Sequence, residues 1–137
     1  MASSRTAVMG GNQLTRYQNV SVQGEIDAVA TGDTPLIANT STKQQLVVRR
    51  IVVNVYTSAA VSAEFRGDGA LGDPVFNVPA TPGVGPRNID WGDIGYALPP
   101  GEGLEVSVSG AGNAFTFFAE VYRVPIAGTG TPAQMIP

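Results

Sequence analysis

The strongest constraint on this chain is how its apolar residues are parcelled out. They come in short runs, Leu46–Tyr56, Val61–Arg66, Leu104–Ser109 and Phe115–Val124 among them, that alternate apolar with polar residues or are rich in Val, Phe and Tyr. Clusters of Gly, Pro, Asp and Asn separate the runs, and that combination specifies β-strands joined by turns. Gly, Pro or β-branched residues interrupt every window long enough for a helix. At 137 residues the chain is one domain, able to bury a core without disulfide or metal staples. The expected fold class is all-β.

The sequence contains no His and no Cys. Those side chains most often serve as general base, thiol nucleophile or soft metal ligand near neutral pH. The residues therefore point to a protein that holds a shape and binds, and we expect no enzymatic activity, no cofactor and no metal site. Charged residues make up only 14%, and Lys43 is the single lysine. Lys is depleted at protein interfaces, so this composition suits a subunit whose exterior is largely covered, and equally a small neutral Gly-rich domain. A net charge of −3 argues against nucleic acid, which requires a basic patch. The Arg49-Arg50 doublet is not such a patch, because consecutive side chains on a strand point to opposite faces. No stretch has the apolar length of a membrane span or a signal peptide, so we expect no membrane partner and synthesis in the cytosol.

Three zones follow one another. Met1–Tyr17 is a small, polar arm, Gln18–Val124 carries the strand pattern, and Pro125–Pro137, with three prolines and no periodicity, is an extended tail. Within the middle zone we expect strands near Asn19–Val22, Ile26–Ala30, Thr34–Ala38, Gln45–Tyr56, Val61–Arg66, Val75–Val78, Asn88–Asp90, Gly95–Leu98, Leu104–Ser109 and Phe115–Val124. The last two, parted by the turn-forming Gly110-Ala111-Gly112-Asn113, should form an antiparallel hairpin. Leu104, Val106 and Val108 should point inward, and Val61, Ala63 and Phe65 should share one face opposite Ser62 and Glu64. Phe115, Phe117, Ala119 and Val121 make one apolar row, yet the opposite row holds Phe118, Tyr122 and Val124 beside Glu120. Phe118, Tyr122 and Val124 are the candidate subunit interface, since a strand apolar on both faces is either central or covered by a neighbour. With no fixed-period repeat and roughly eight strands, a jelly-roll-like β-sandwich with extended N- and C-terminal arms fits best.

Several motifs have both a chemical and a plainer explanation. Arg66-Gly67-Asp68 spells the integrin-recognised tripeptide but sits where a turn should follow a strand. Asp68 and Asp73 match no calcium-ligand spacing and suit turns better. Asp90 and Asp93 flank Trp91, the only Trp, in the densest polar and aromatic cluster. A glycosidase needs two carboxyls framed in a deep cleft, so Trp91 is better placed as an anchor for its loop. Lys43 beside Ser41 and Thr42 has no base within sequence reach to activate it. In the tail, Ile126, Met135 and Ile136 are the sizeable apolar groups and hence the candidate docking contacts.

The order of segments carries a resemblance. A polar arm precedes Thr-Gly-Asp-Thr-Pro-Leu-Ile-Ala-Asn (31–39) and Gln-Leu-Val-Val-Arg-Arg-Ile-Val-Val-Asn-Val (45–55). Then come Phe-Arg-Gly-Asp-Gly, Leu-Pro-Pro-Gly-Glu-Gly-Leu-Glu-Val-Ser-Val-Ser-Gly (98–110) and Phe-Thr-Phe-Phe-Ala-Glu-Val-Tyr-Arg-Val (115–124). Over about residues 25–124 this resembles the small β-sandwich capsid decoration, or cement, proteins of tailed bacteriophages. The resemblance implies a structural virion protein made in the host cytoplasm, a homotrimer on the outer capsid surface that bridges major capsid subunits. It brings no catalytic residues. The alternative is a carbohydrate- or receptor-binding tip domain of a phage tail, with Trp91 and Tyr96 on its contact surface.

Overall fold

The computed structural model describes residues 14–69, 74–80 and 83–126. The first 13 residues and the Met135-Ile136 pair of the tail, like Asp73, lie outside that set. Ten strands follow a three-residue 3-10 turn at Leu14–Arg16: β1 (Gln18–Asn19), β2 (Val22–Ile26), β3 (Gly32–Ile37), β4 (Gln44–Thr57), β5 (Ala63–Gly67), β6 (Pro74–Val78), β7 (Gly85–Asp90), β8 (Tyr96–Ala97), β9 (Leu104–Val108) and β10 (Ala114–Pro125). No other helical segment occurs among the described residues.

The strands form two antiparallel sheets. In the six-stranded sheet β10 lies between β4 and an edge made first by β1 and then by β2, while β4 is flanked on its far side by β7 and β8. The four-stranded sheet runs β3-β9-β5-β6. Counting β1 with β2, and β7 with β8, as interrupted halves of single strands, each sheet has four strands, and the chain changes sheet at β2–β3, β3–β4, β4–β5, β6–β7, β8–β9 and β9–β10. That is the jelly-roll form of the sandwich.

Alternation fills the space between the sheets. Leu46, Val48, Ile51, Val53 and Val55 of β4 and Phe115, Phe117, Ala119 and Val121 of β10 face Ala63, Phe65, Leu104, Val106 and Val108 of the opposite sheet. Phe65, fully buried, stands at the centre, its ring 6.3 Å from Phe76, 6.2 Å from Phe115 and 5.5 Å from Phe117, the last edge to face. A buried Phe of this kind contributes roughly 1.5–3 kcal/mol through removal of its apolar surface from water.

Three expectations are corrected. The strand placed at Ile26–Ala30 instead ends at Ile26, where Asp27 turns the chain: its carbonyl accepts the Ala30 N–H at 2.9 Å and its Oδ1 the Val29 N–H at 3.0 Å. The β9–β10 hairpin does not form, since β9 pairs with β3 and β5 while β10 pairs with β1, β2 and β4. Their connection crosses between the sheets, so the apolar rows of β9 and β10 face each other instead of lying side by side. Fully buried Asn113 holds that crossing, accepting the Ala59 N–H at 2.7 Å through Oδ1 and donating through Nδ2 to the Val61 carbonyl. Finally, Arg49 and Arg50 share a face. Between Glu120 and Val121 of β10 the partner strand advances two residues, from Arg50 to Val48, so Arg49 is the extra residue of a β-bulge.

Candidate functional site

The bulge organises the face of the six-stranded sheet turned away from the core. Both guanidiniums reach one carboxylate: Arg50 Nε lies 2.8 Å and Arg49 Nη1 3.3 Å from Glu120 Oε1. The Tyr122 hydroxyl, two residues on and on the same face, donates to Glu120 Oε2 at 2.6 Å. Arg49 also pairs with Asp93 at 3.4 Å, and its carbonyl accepts the Trp91 N–H at 2.8 Å, which fastens the β7–β8 turn to the sheet. Burial alone would raise the Glu120 carboxyl, but the Tyr122 hydroxyl and the two guanidiniums outweigh it and hold the group below its ordinary range. Burial and the bond to Glu120 push the Tyr122 hydroxyl up. A carboxylate so fully engaged has little capacity left for a substrate, so the cluster acts as a structural clasp between β4 and β10.

On one side of the clasp the face is closed by the chain itself. Leu14, from the turn preceding β1, packs with Val47 and Tyr122, and Tyr17 and Val124 lean on the same cluster. Tyr122, 4% exposed, therefore lies under the chain's own N-terminal turn. Gly95 permits this approach: it has φ +71°, and a Cβ there would stand 3.0 Å from Leu14 Cδ1 and also meet Val47. Val124 is half-buried at the same end. Ile126 follows, its N–H bonded to the Lys43 carbonyl at 3.0 Å, so the C-terminal tail and the N-terminal arm leave from the same end of the sandwich.

On the other side the face is open. Half-buried Phe118 and 37%-exposed Val52 are directly paired across β10 and β4, and they border a shallow trough of about 510 Å³ with Gln23, Gly24, Glu25, Asn54 and Thr116. The Arg50 guanidinium stands 6.0 Å from the centre of the Phe118 ring. Tyr56, also on this face, donates its hydroxyl to Glu25, and that bond is the main reason its titration is pushed up to about 12. Of the three candidate interface residues, then, Phe118 lies on the open part of the face, while Tyr122 and Val124 belong to the covered part.

The remaining motifs have local structural partners. Trp91 is half-buried against the core cluster, its ring 5.4 Å from that of Tyr96, whose hydroxyl donates to the Pro74 carbonyl at 3.2 Å. Arg66 is the last but one residue of β5 and pairs with Glu105 at 2.8 Å and Asp33 at 3.2 Å. Asp68 accepts the Gly103 N–H at 2.7 Å. The tripeptide is thus engaged within the domain at both ends.

Sequence reasoning missed the Glu120 clasp, although the signal was present. The inward residues Val48 and Ile51 are three apart where alternation requires two, and that slip marks a bulge. The cover supplied by Leu14 had no such signal, since one leucine in a polar arm has no period.

No protein-family model and no curated protein matches the sequence. Solved structures do share the fold. One is a chain in the acidic stable capsid of the Helicobacter pylori bacteriophage KHP30, 12% identical, with a TM-score of 0.51 over 80% of this chain and 94% of that one. Another is a chain in the capsid asymmetric unit of cyanophage Pam1, 8% identical, with a TM-score of 0.51 over 91% of this chain and 94% of the other. Since nearly all of each neighbour is covered, both are chains of about this size.

Proposed function

We propose that this chain is a structural virion protein that decorates the outer surface of a bacteriophage icosahedral capsid and stabilises it by bridging major capsid subunits, as a homotrimer. The observation that carries the proposal is the sharing of one small jelly roll, along almost its whole length, with chains of two phage capsids. Its surface agrees with a binding role and not a catalytic one: both oxygens of the buried Glu120 carboxylate are engaged within the domain, and the open feature beside it is a shallow trough instead of a cleft. In this proposal Phe118 and its surroundings face a neighbouring subunit, and Ile126, Met135 and Ile136 of the tail dock on the shell.

A protein that binds only the assembled shell stabilises it by mass action, by about 2.7 kcal/mol per site at a free concentration a hundredfold above Kd. Particles stripped of this protein should therefore release their genome at lower temperature than complete particles, and adding purified protein back should restore the difference. Identical release temperatures would refute the proposal and favour a glycan- or receptor-binding tip.

A further inference from the structure

Every open sandwich must protect its sheet edges, whose unpaired N–H and C=O groups invite another strand, and proline is one common means. Pro35 lies in β3, Pro74 in β6 and Pro86 in β7, so three of the four edges carry one. The edge from Gln18 to Ile26 carries none. At its middle, exposed Gly24 presents bare backbone, and the Phe117 ring lies 3.2 Å from where a Cβ would stand. Gln23 and Glu25 on either side border the trough that runs to Phe118 and Val52.

The chain contains a segment that fits this edge. Arg5-Thr6-Ala7-Val8-Met9 has no Gly or Pro and matches the five residues of β2 in length, and Gly10-Gly11-Asn12-Gln13 joins it to Leu14. Traced back from Tyr17, the chain crosses the outer face away from the β1 edge and reaches Val47 and Gly95, beside β8, at Leu14. To return to β2 of its own domain, Met9 would have to cross more than two strand spacings and travel about 10 Å along the sheet. The five Cα steps from Leu14 supply roughly 17 Å at full extension, and the path would first have to reverse. The β2 edge of a neighbouring copy needs no such reversal.

We infer that residues Arg5–Met9 of one copy add as an antiparallel strand to β2 of a neighbouring copy, with Ala7 opposite Gly24. In this register Thr6 and Val8 share the outer face with Glu25 and Gln23, and Met9 stands beside half-buried Val22. The inference deepens the proposed virion role and rests on it only for the requirement that copies meet.

The absence of cysteine makes a direct test possible. Val8→Cys and Gln23→Cys are placed on separate full-length chains, one of them tagged, then mixed and oxidised. Directly opposed residues on paired strands lie within the Cα separation a disulfide tolerates. The mixed dimer should form at least fivefold more than when Val8→Cys is mixed with Asn88→Cys on the β7 edge, and adding Ala7→Pro to the donor chain should abolish the excess. Equal yields at the two edges, indifference to Ala7→Pro, or an intrachain disulfide when both cysteines are on one chain would overturn the strand exchange. Occupancy on particles is scored separately. A protein that decorates shells yet cross-links no better than the control refutes the exchange alone, whereas one that cross-links as expected but leaves shells bare upholds the exchange and refutes the virion role.

Discussion

Asn113 lets the sheet-crossing connection be tested with a single side chain. Its amide both accepts from Ala59 and donates to Val61, and it is fully buried. Replacement by Ala removes two hydrogen bonds, each worth about 1 kcal/mol net, and strands two backbone groups. Because Ala59 and Val61 are only half-buried, water recovers part of that desolvation cost. The expected loss is therefore about 2–3 kcal/mol, a large share of the roughly 5–15 kcal/mol that holds a domain together. In urea the midpoint should fall with no change in slope, since the surface exposed on unfolding is unaltered. Asn113→Asp sharpens the test. The acceptor for Ala59 is kept, but at neutral pH an anionic oxygen faces the Val61 carbonyl. Burial and that carbonyl raise the folded-state pKa of the new carboxyl above its unfolded value of about 3.9. Such a group destabilises the fold at high pH, and stability returns as falling pH protonates it and restores the donor. The Asp variant should therefore be worse than the Ala variant at pH 7 and better at pH 4. An Ala variant within about 0.5 kcal/mol of the parent, or an Asp variant indifferent to pH, would refute the role given to this side chain.

Two further outcomes follow from the outer face. The Glu120 carboxyl is held below its ordinary 4.5, so its contribution is present above that pH and is lost as pH falls through the depressed folded value; melting temperature against pH should show an acid limb below about 4.5 that Glu120→Gln flattens. Phe118→Asp should cost the free domain about 1–2 kcal/mol while weakening association, whereas Tyr122→Asp, under Leu14 and Val47, should cost about 3–5 kcal/mol before any partner is involved. Calorimetry and sedimentation on the two variants separate these effects.

What was legible in the sequence was whatever depends on period two. The inward rows of β9 and β10 read directly from alternation, because strand faces follow from spacing alone, and the length of β4 read from its run of β-branched residues. What was not legible depends on where strands go after they form. The β9–β10 connection has the turn chemistry of a hairpin, and only the demand that two apolar rows face each other sends it across the sandwich. The second apolar row of β10 suggested a neighbouring subunit because Leu14, which covers Tyr122, stands more than a hundred residues away in a segment with no pattern of its own. The open part of the site, Phe118 beside Val52, combines one residue visible as unpaired and one visible only once register is known.

The order in which this sheet is made also sets when it can exist. The longest strand, β4, finds its main partner only in β10, and β1 and β2 pair with β10 alone. At 5–20 residues per second, synthesis from Thr57 to Ala114 takes on the order of 3–11 s. Throughout that interval a fourteen-residue strand, apolar along one side, lacks β10, although β7 and β8 emerge in time to line its other edge. Closure of the sheet is therefore held until β10 has been made, and contacts this distant along the chain form slowly once permitted. During that wait the unpaired edge of β4 is open to capture by other chains.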